Sequence, residues 1–164
     1  MAKIYVASSW RNDFQPGVVS FLREHGHAVY DFRNPPGGTA FKWSDIDSNW
    51  KGWSTQEYRK ALQSPTARSG FNSDFSGMQW ADACVLVLPC GRSANSEAGW
   101  MKGAGKHVVV YSPVKQEPEL MYNLYDYIAD DLKEVVAAID VVKAVKATIN
   151  PANDYSRETY GFKR

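Results

Sequence analysis

The stretch of sequence that decides the fold is Ala83-Cys-Val-Leu-Val-Leu-Pro-Cys-Gly-Arg-Ser-Ala-Asn-Ser-Glu-Ala-Gly99. Its apolar first half predicts a buried strand, the small polar residues predict a turn, and the remainder predicts a helix that carries one carboxylate, Glu97. Ligands of open parallel sheets bind just outside the carboxyl ends of the strands. There the unpaired N–H groups of a following helix favour an anion. This stretch therefore supplies the floor of a pocket, an anion-binding turn and a candidate nucleophile.

The rest of the chain alternates between strand and helix patterns in the same way. The predicted strands span residues 3–7, 28–32, 82–88 and 107–111, and the predicted helices span residues 15–25, 55–62, 67–80, 94–103, 117–122 and 131–145. Such alternation predicts an α/β three-layer sandwich around a parallel sheet. We expect a flavodoxin-like, Rossmann-like strand order, 2-1-3-4-5, which brings Tyr5 to Arg11 opposite Pro89 to Glu97.

The length of the chain sets its domain organisation. With 164 residues, of which 44% are hydrophobic, it has enough apolar side chains for one ordinary core. We predict one domain over residues 1–145, with a long loop insert at 33–54 and a C-terminal tail at 146–164. The insert is rich in Trp and Asp, and loops of this length are usually functional or mobile.

Composition excludes several classes of function. The net charge is only +1, which argues against a nucleic-acid polymer as partner, and no apolar run approaches the roughly 20 residues that span a bilayer. The first residues enter a strand without a signal-peptide pattern, and the two cysteines are too close together for a stabilising bridge. We therefore predict a cytoplasmic protein that does not bind membranes.

No cofactor signature is present in the sequence. It contains neither a G-x-G-x-x-G pattern nor a Walker loop. The three histidines, His25, His27 and His107, are not spaced as a set of metal ligands. We predict that the protein uses no metal and no organic cofactor.

Two side chains of the deciding stretch are candidate nucleophiles. Cys90 lies at a strand end near a helix N-terminus, where a thiolate is favoured, but the sequence offers it no evident partner histidine. Glu97 has two interpretations: a catalytic carboxylate, or a glutamate that only complements the helix dipole. The tryptophans at 10, 43, 50, 53 and 80 leave a similar choice between lining a pocket for a flat ring and packing an irregular segment.

Four segments together resemble the nucleoside 2-deoxyribosyltransferase superfamily over most of residues 1–140. They are Lys3-Ile-Tyr-Val-Ala7, Asn72-Ser-Asp74 with the later Trp80-Ala-Asp-Ala-Cys-Val-Leu-Val-Leu88, Gly91 to Gly99, and Tyr122-Asn123-Leu124. Each segment is short, but their order and spacing together are hard to obtain by chance. The resemblance implies the α/β fold expected above and chemistry at the N-glycosidic bond of a nucleoside or nucleotide.

Individual roles follow from the resemblance. It implies that Glu97 attacks C1′ of a ribose or deoxyribose, that Tyr5 orients this carboxylate, and that Asp74 protonates the departing base or holds the base and sugar. Asp82 is a further candidate near the substrate, with an outward-facing strand start as the alternative. This division of labour is chemically sound, because a carboxylate captures the positive sugar and a second carboxyl group protonates the base.

The turn after the first strand departs from the transferase pattern. Its sequence, Ala7-Ser-Ser-Trp-Arg11, is closer to the serine-any-arginine turn of the nucleoside 5′-monophosphate N-glycosidases in the same superfamily. This similarity favours hydrolysis over base transfer and a 5′-phosphorylated substrate. The substrate-binding residues expected in this turn and in the turn before Glu97 are Ser8, Ser9, Trp10, Arg11, Gly91, Arg92, Ser93 and Asn95.

The insert and a second subunit are expected to complete the site. Asp31, Arg33 and Trp43 are predicted to close over the base or sugar as a lid, together with Asn34, Asp45 and Asp47; for Asp45 the alternative is that it only caps a helical turn. The resemblance implies a homodimer or larger homo-oligomer in which Asn123 lies near a neighbour's site. Two other functions stay open: a non-catalytic protein that binds a nucleotide signal, and a Toll/interleukin-receptor-like NAD glycohydrolase.

Overall fold

The computed structural model describes residues 1–38 and 40–148, with side chains described as far as Val141. Almost all of the predicted tail lies outside these residues. Five strands form one all-parallel sheet in the order β2-β1-β3-β4-β5: β1 Lys3–Ala7, β2 Ala28–Asp31, β3 Ala83–Val87, β4 His107–Tyr111 and β5 Tyr127–Ala129. The helices are α1 Gln15–Glu24, α2 Thr55–Ala61, α3 Pro65–Trp80, α4 Arg92–Gly103 and α5 Leu132–Thr148. The predicted fold class and strand order are confirmed.

Side-chain alternation along the strands creates one core on each face of the sheet. In β1, Ile4 and Val6 face the core that contains α1 and α5, while Tyr5 and Ala7 face the core that contains α3 and α4. Successive residues of a strand point to opposite faces, so both faces of this apolar strand are covered. Tyr5 is thereby directed toward the two helices that carry Asp74 and Glu97.

The predicted adjacency of the first and third strands is confirmed. β1 pairs with β3 in a register that sets Tyr5 beside Cys84 and Ala7 beside Leu86. Beyond the strand ends, the Asn12 side-chain amide donates to the carbonyl oxygens of Val87 (3.3 Å) and Pro89 (2.9 Å). The loops that follow β1 and β3 are therefore bound to each other at the carboxyl edge of the sheet.

Two details near the C-terminal half differ from the sequence prediction. The short helix expected at 117–122 is a 3-10 segment over Leu120–Leu124, since Pro118 disfavours helical backbone in the residue before it. The edge strand β5 has no counterpart in the predicted element boundaries. It has only three residues, two of them exposed, so it shows too little of the alternation by which a strand is recognised in sequence.

The insert forms an ordered structure around aromatic rings. It contains two 3-10 turns, Trp43–Asp45 and Trp50–Gly52, and the ring of Trp43 contacts those of Phe41, Trp53 and Tyr58 at centroid distances of 4.8, 5.7 and 5.7 Å. Ser54 caps the following helix α2 as expected, accepting a hydrogen bond from the backbone N–H of Glu57. Phe41 also packs against α3 at Gly70, where a Cβ atom would lie only 2.8 Å from it.

We predict that Gly77→Ala destabilises the protein by about 1–3 kcal/mol, because the added Cβ atom would collide with the Tyr30 ring on which α3 packs. A Cβ atom at Gly77 would lie 2.7 Å from Cδ2 of Tyr30, a ring held between the helix and β1. Gly17→Ala in α1 is the matched control, since its Cβ atom would meet nothing within 4 Å. We expect that control to be neutral or stabilising by up to about 1 kcal/mol. Urea denaturation measures the free energy of unfolding of both variants, and equal values would contradict the packing argument.

Candidate active site

Helix α4 carries Glu97 to the carboxyl edge of the sheet. Ala94, Ala98 and Met101 recur at helical spacing and are buried against the strands, and Glu97 lies beside this face. The small alanine side chains allow the helix to pack closely on β3. The Glu97 side chain is therefore partly buried within the protein and not directed into bulk solvent.

The hydroxyl of Tyr5 lies next to this carboxyl group. Tyr5 is fully buried, and its interaction with Glu97 acts to lower the pKa of the carboxyl. The contact nevertheless falls outside the geometry of a well-formed hydrogen bond, and the hydroxyl has no other partner among the described residues. Buried hydroxyl groups normally have partners. The arrangement therefore offers a donor to the Glu97 carboxylate or to a bound ligand.

Tyr30 links Asp74 to the same cluster. Its hydroxyl donates to Oδ1 of Asp74 at 3.0 Å and lies 3.0 Å from the hydroxyl of Ser73, while its ring stacks on that of Tyr5 at 5.3 Å. The sequence prediction did not include Tyr30 in the site. Its place in the site follows from the strand register, because Tyr30 is the direct neighbour of Tyr5 in the adjacent strand.

Burial and mutual charge perturb both carboxyl groups. Burial, together with the charge of Asp74, raises the pKa of Glu97 to about 7 against the opposing effect of Tyr5. Burial also raises the pKa of Asp74, partly offset by the Tyr30 hydrogen bond. The pKa of Tyr5 is raised far above its ordinary range by burial and then by the charges of Glu97 and Asp74, so its hydroxyl stays protonated. Perturbed carboxyl pairs of this kind are typical of active sites.

The loop after β1 is held by internal hydrogen bonds. The Ser8 hydroxyl donates to the carbonyl oxygen of Val87 (3.0 Å), and the Ser9 hydroxyl accepts from the N–H of Arg11 (3.2 Å). The Arg11 side chain is exposed and makes no salt bridge with any described residue. Ser8 therefore has a structural partner, whereas Arg11 is available to a ligand.

Arg33 and Asp31 organise this loop from the neighbouring strand. One terminal nitrogen of Arg33 donates to the carbonyl oxygens of Ser9 (2.8 Å), Trp10 (3.0 Å) and Asn12 (2.8 Å). The buried Asp31 carboxylate accepts from the Gln15 amide, the Asn34 amide and the N–H of Arg33. Both side chains were predicted to contact substrate, but their hydrogen bonds are used to shape the loop. Trp10 lies exposed over Phe32, with ring centres 5.2 Å apart.

The turn before α4 contains Gly91, Ser93 and Asn95. Gly91 precedes the helix with extended backbone and gives it no side-chain cap, and both Gly91 and Ser93 are exposed. Asn95 donates to the Cys90 sulfur (3.3 Å) and to the carbonyl oxygen of Gly91 (3.0 Å), and it accepts from the Tyr122 hydroxyl (3.2 Å). Burial raises the pKa of the Cys90 thiol, which argues against a thiolate nucleophile.

Asp82 does not belong to this site. It precedes β3 at the amino end of the sheet and accepts a hydrogen bond from the N–H of Lys3 at 3.2 Å. Glu97 lies beyond the opposite end of the same strand. The strand itself therefore separates the two carboxylates, and Asp82 fits the alternative that it is only the start of a strand.

Two further predicted residues contribute to a different cavity. Trp43 and Arg92 both line a cavity of about 320 Å³ formed with the insert, and its lining includes none of Tyr5, Asp74 and Glu97. Asp45 accepts from the N–H of Lys42, which fits the alternative that it caps a helical turn.

Asn123 is exposed in the 3-10 segment beside Tyr122. A larger cavity of about 690 Å³ opens next to that segment and is lined mainly by the loop after β4. It contains Tyr122 but not the carboxyl pair, so it is a neighbouring feature and not the candidate catalytic pocket.

Within the described ranges, no helix is long and apolar enough to cross a lipid bilayer. Over the same residues, no three side chains of the His, Cys, Asp and Glu types come together in a way that could hold a metal ion.

Comparisons with known proteins support the fold. No protein-family model and no curated protein matches the sequence. Among solved structures, a 2-deoxyribosyltransferase from the psychrotolerant bacterium Bacillus psychrosaccharolyticus matches with a TM-score of 0.56 and 24% identity, over 82% of this chain and 90% of that chain. The CMP N-glycosidase BcmB of Clostridium botulinum matches with a TM-score of 0.45 and 16% identity, over 84% of this chain and 97% of that chain. The resemblance inferred from sequence is confirmed at the level of the fold.

We predict that Glu97→Gln stabilises the protein at pH 8 but hardly at pH 5. The folded-state pKa of about 7 exceeds the ordinary value of 4.5, so wild-type stability falls as pH rises between those values. Removing the ionisable group should raise the melting temperature at pH 8 by a few degrees, corresponding to roughly 1–3 kcal/mol. Glu24→Gln, at an exposed position of α1, is the control and should show no such pH dependence. An equal gain in melting temperature at both pH values would contradict the assignment of a raised pKa to Glu97.

Proposed function

We propose that this protein cleaves the N-glycosidic bond of a nucleoside or nucleoside 5′-monophosphate, with Glu97 as the nucleophile and hydrolysis favoured over transfer. The observation that carries this proposal is the partly buried Glu97 carboxyl beside the Tyr5 hydroxyl and Asp74 at the carboxyl edge of a parallel sheet. The fold is shared with a 2-deoxyribosyltransferase, an enzyme described as a biocatalyst for nucleoside synthesis. The bond type is taken from that likeness, and the roles are taken from the chemistry of the residues.

In the first step, an ionised Glu97 oxygen attacks C1′ of the sugar. The C1′–N bond breaks, and its electron pair leaves with the base while a proton from Asp74 is transferred to the base. The Tyr5 hydroxyl donates to the second Glu97 oxygen and orients the carboxylate. This division of labour requires Glu97 without a proton and Asp74 with one. Burial raises the pKa of both carboxyl groups, most strongly that of Glu97, so the two groups share one proton near neutral pH and the reactive form is the one in which Asp74 carries it.

In the second step, water attacks C1′ of the glycosyl-enzyme ester. The bond between C1′ and the Glu97 oxygen breaks with its electron pair returning to the carboxylate, and Asp74 accepts a proton from the water. A second base in place of water would give transfer. The Ser-x-Arg type of turn at Ser9 to Arg11 favours the hydrolytic branch.

A 5′-phosphate would bind between the two loops at the sheet edge. The free Arg11 guanidinium, the Ser93 hydroxyl and the first N–H groups of α4 supply charge and donors, and Arg33 holds the backbone of the first loop in place. Ser9 and Gly91 shape these loops. Trp10 provides an exposed ring beside them for the sugar or base.

A second copy of the chain is proposed to complete the site at Asn123. This residue lies in the Leu120–Leu124 segment, in which the side chains of Leu120 and Met121 are 84% and 58% exposed. Apolar side chains at this level of exposure are typical of a protein interface. The assembly and the cytoplasmic location both stay predictions.

We predict that incubation with a panel of nucleosides, nucleoside 5′-monophosphates, their deoxy forms and NAD releases free base from at least one nucleoside or nucleotide. Glu97→Ala should lower the rate by at least about a thousandfold, because the covalent step loses its nucleophile. Liquid chromatography measures the base, and mass spectrometry of quenched wild-type protein should detect a sugar attached to Glu97. Cys90→Ala is the control for the other candidate nucleophile and should retain most of the activity.

Two outcomes would contradict this proposal. Nicotinamide release from NAD alone would favour the glycohydrolase alternative. Tight nucleotide binding without release of any base, and with Glu97 dispensable, would favour the sensor alternative.

We predict a bell-shaped dependence of kcat/KM on pH, with the alkaline limb near pH 7. The coupled carboxyl pair holds its last proton up to about that pH, and above it the base has no acid to protonate it. At low pH both groups are protonated and Glu97 cannot attack. Asp74→Asn should lower the rate and remove the alkaline limb, leaving a single acid limb for the ionisation of Glu97. An unchanged profile in that variant would exclude Asp74 as the acid.

A further inference from the structure

The cavity between the insert and the start of α4 has an unusual lining. Four aromatic side chains, Trp43, Trp50, Trp53 and Tyr58, surround it together with Arg92. Trp43 meets Trp53 and Tyr58 edge to face, at interplanar angles of 82° and 73°, so these rings do not stack on one another. At about 320 Å³ the cavity is at the lower end of the size range of small-molecule sites, roughly 300–1,000 Å³.

The cluster is built more like a binding site than like a core that packs a loop. A packing core would bury its largest rings, yet Trp50 and Tyr58 are 36% and 47% exposed at this cavity. The Trp53 ring is fixed, since its Nε1–H donates to the Asp47 carboxylate at 2.6 Å. The cavity therefore combines a rigid aromatic wall with accessible ring surface.

One guanidinium in the cavity lining, that of Arg92, can pair with an anionic group of a ligand. The Arg92 guanidinium makes no salt bridge within the described part of the chain, and the Lys51 ammonium lies 5.8 Å from the centre of the Trp50 ring. The nearby carboxylates have other partners: Asp47 is bound by the N–H of Asn49 and by Trp53, and Glu57 is bound by Ser54. Arg92 is thus the cationic side chain in the cavity lining, and the two nearby carboxylates stay ionised but are engaged by neutral donors.

We propose that this cavity is a second ligand site, separate from the carboxyl pair, which binds one mononucleotide. Its base stacks on the indole rings, with Trp50 as the accessible face, and its phosphate pairs with Arg92. Aromatic stacking selects a flat ring, and a guanidinium selects a phosphate or carboxylate. The size admits one nucleotide. The site lies beside the first turn of the helix that carries Glu97 but does not depend on the chemistry of Glu97.

The test is a titration of Glu97→Gln protein with each of the four ribonucleoside 5′-monophosphates and the corresponding nucleosides, followed by calorimetry and tryptophan fluorescence. At least one nucleotide should bind in two equivalents and quench the fluorescence. Adding Trp50→Leu should weaken one of the two events about tenfold for nucleotide and nucleoside alike. Adding Arg92→Gln should weaken the same event about tenfold for the nucleotide but less than about twofold for the nucleoside.

Matched controls use the same side-chain types outside the cavity. Trp80→Leu removes an equally exposed indole at the end of α3, and Arg59→Gln removes an exposed guanidinium from α2. Neither residue lines the cavity, so both variants should bind like the parent protein.

Three results would overturn the second site: no binding by any probe, isotherms unchanged by Trp50→Leu and Arg92→Gln, or a single equivalent that both variants abolish. The last result would mean that the cavity and the catalytic pocket are one site.

Base release by wild-type protein is measured in parallel. Release with unchanged isotherms in the variants would overturn only this inference. Weakened binding without base release from any nucleoside or nucleotide would overturn only the proposed function.

Discussion

The arrangement of the candidate site depends on the parallel pairing of β1 with β3. The register that sets Tyr5 beside Cys84 brings the carboxyl ends of two non-consecutive strands together. Asn12 and Ser8 then bind the first loop to the backbone at the end of β3. Helix α4 follows β3 after a short turn, and its Glu97 carboxyl group lies next to the Tyr5 hydroxyl of β1. A shift of one residue in this register would turn the Tyr5 side chain to the other face of the sheet and leave Glu97 without its neighbour.

Two partly buried carboxyl groups of this chain have pKa values shifted in opposite directions, one at a structural position and one in the candidate site. Asp126 is bound by Lys102, by the N–H of Val108 and by His107, and these partners hold its pKa below the ordinary value despite partial burial. Glu97 is more deeply buried than Asp126, and no cation contributes to its pKa. Burial and the charge of Asp74 therefore raise that pKa to about 7. The first arrangement stabilises the fold. The second costs stability, and such a cost is common where a group is held for reaction.

The insert connects the two helices that carry the carboxyl pair. Phe41 packs on α3 at Gly70, one helical turn before Asp74, and the aromatic cavity reaches Arg92 in the first turn of α4. The rings of the insert therefore form an aromatic cluster beside the two cores, with Trp50 and Tyr58 partly exposed at its cavity. This arrangement accounts for tryptophans that the two cores of the sandwich do not require.

Sequence alone determined the sandwich, its strand order and the helix that bears Glu97, because these follow from local hydrophobic periodicity, turns and the preference of parallel strands for buried positions. The site was only partly accessible in this way. Asp31 and Arg33 have the polarity of ligand-binding residues, yet the structure uses their hydrogen bonds to hold a loop. In the sequence Tyr30 is an ordinary strand residue, and only the strand register shows that it lies beside Tyr5. In the sequence Asp82 is close to Glu97, but in the structure the length of β3 separates the two. Spacing along a chain predicts the element on which a side chain lies. Which end of the sheet it occupies, which partners it meets and how far its pKa is shifted are decided by contacts between segments far apart in sequence, and only the tertiary structure sets these.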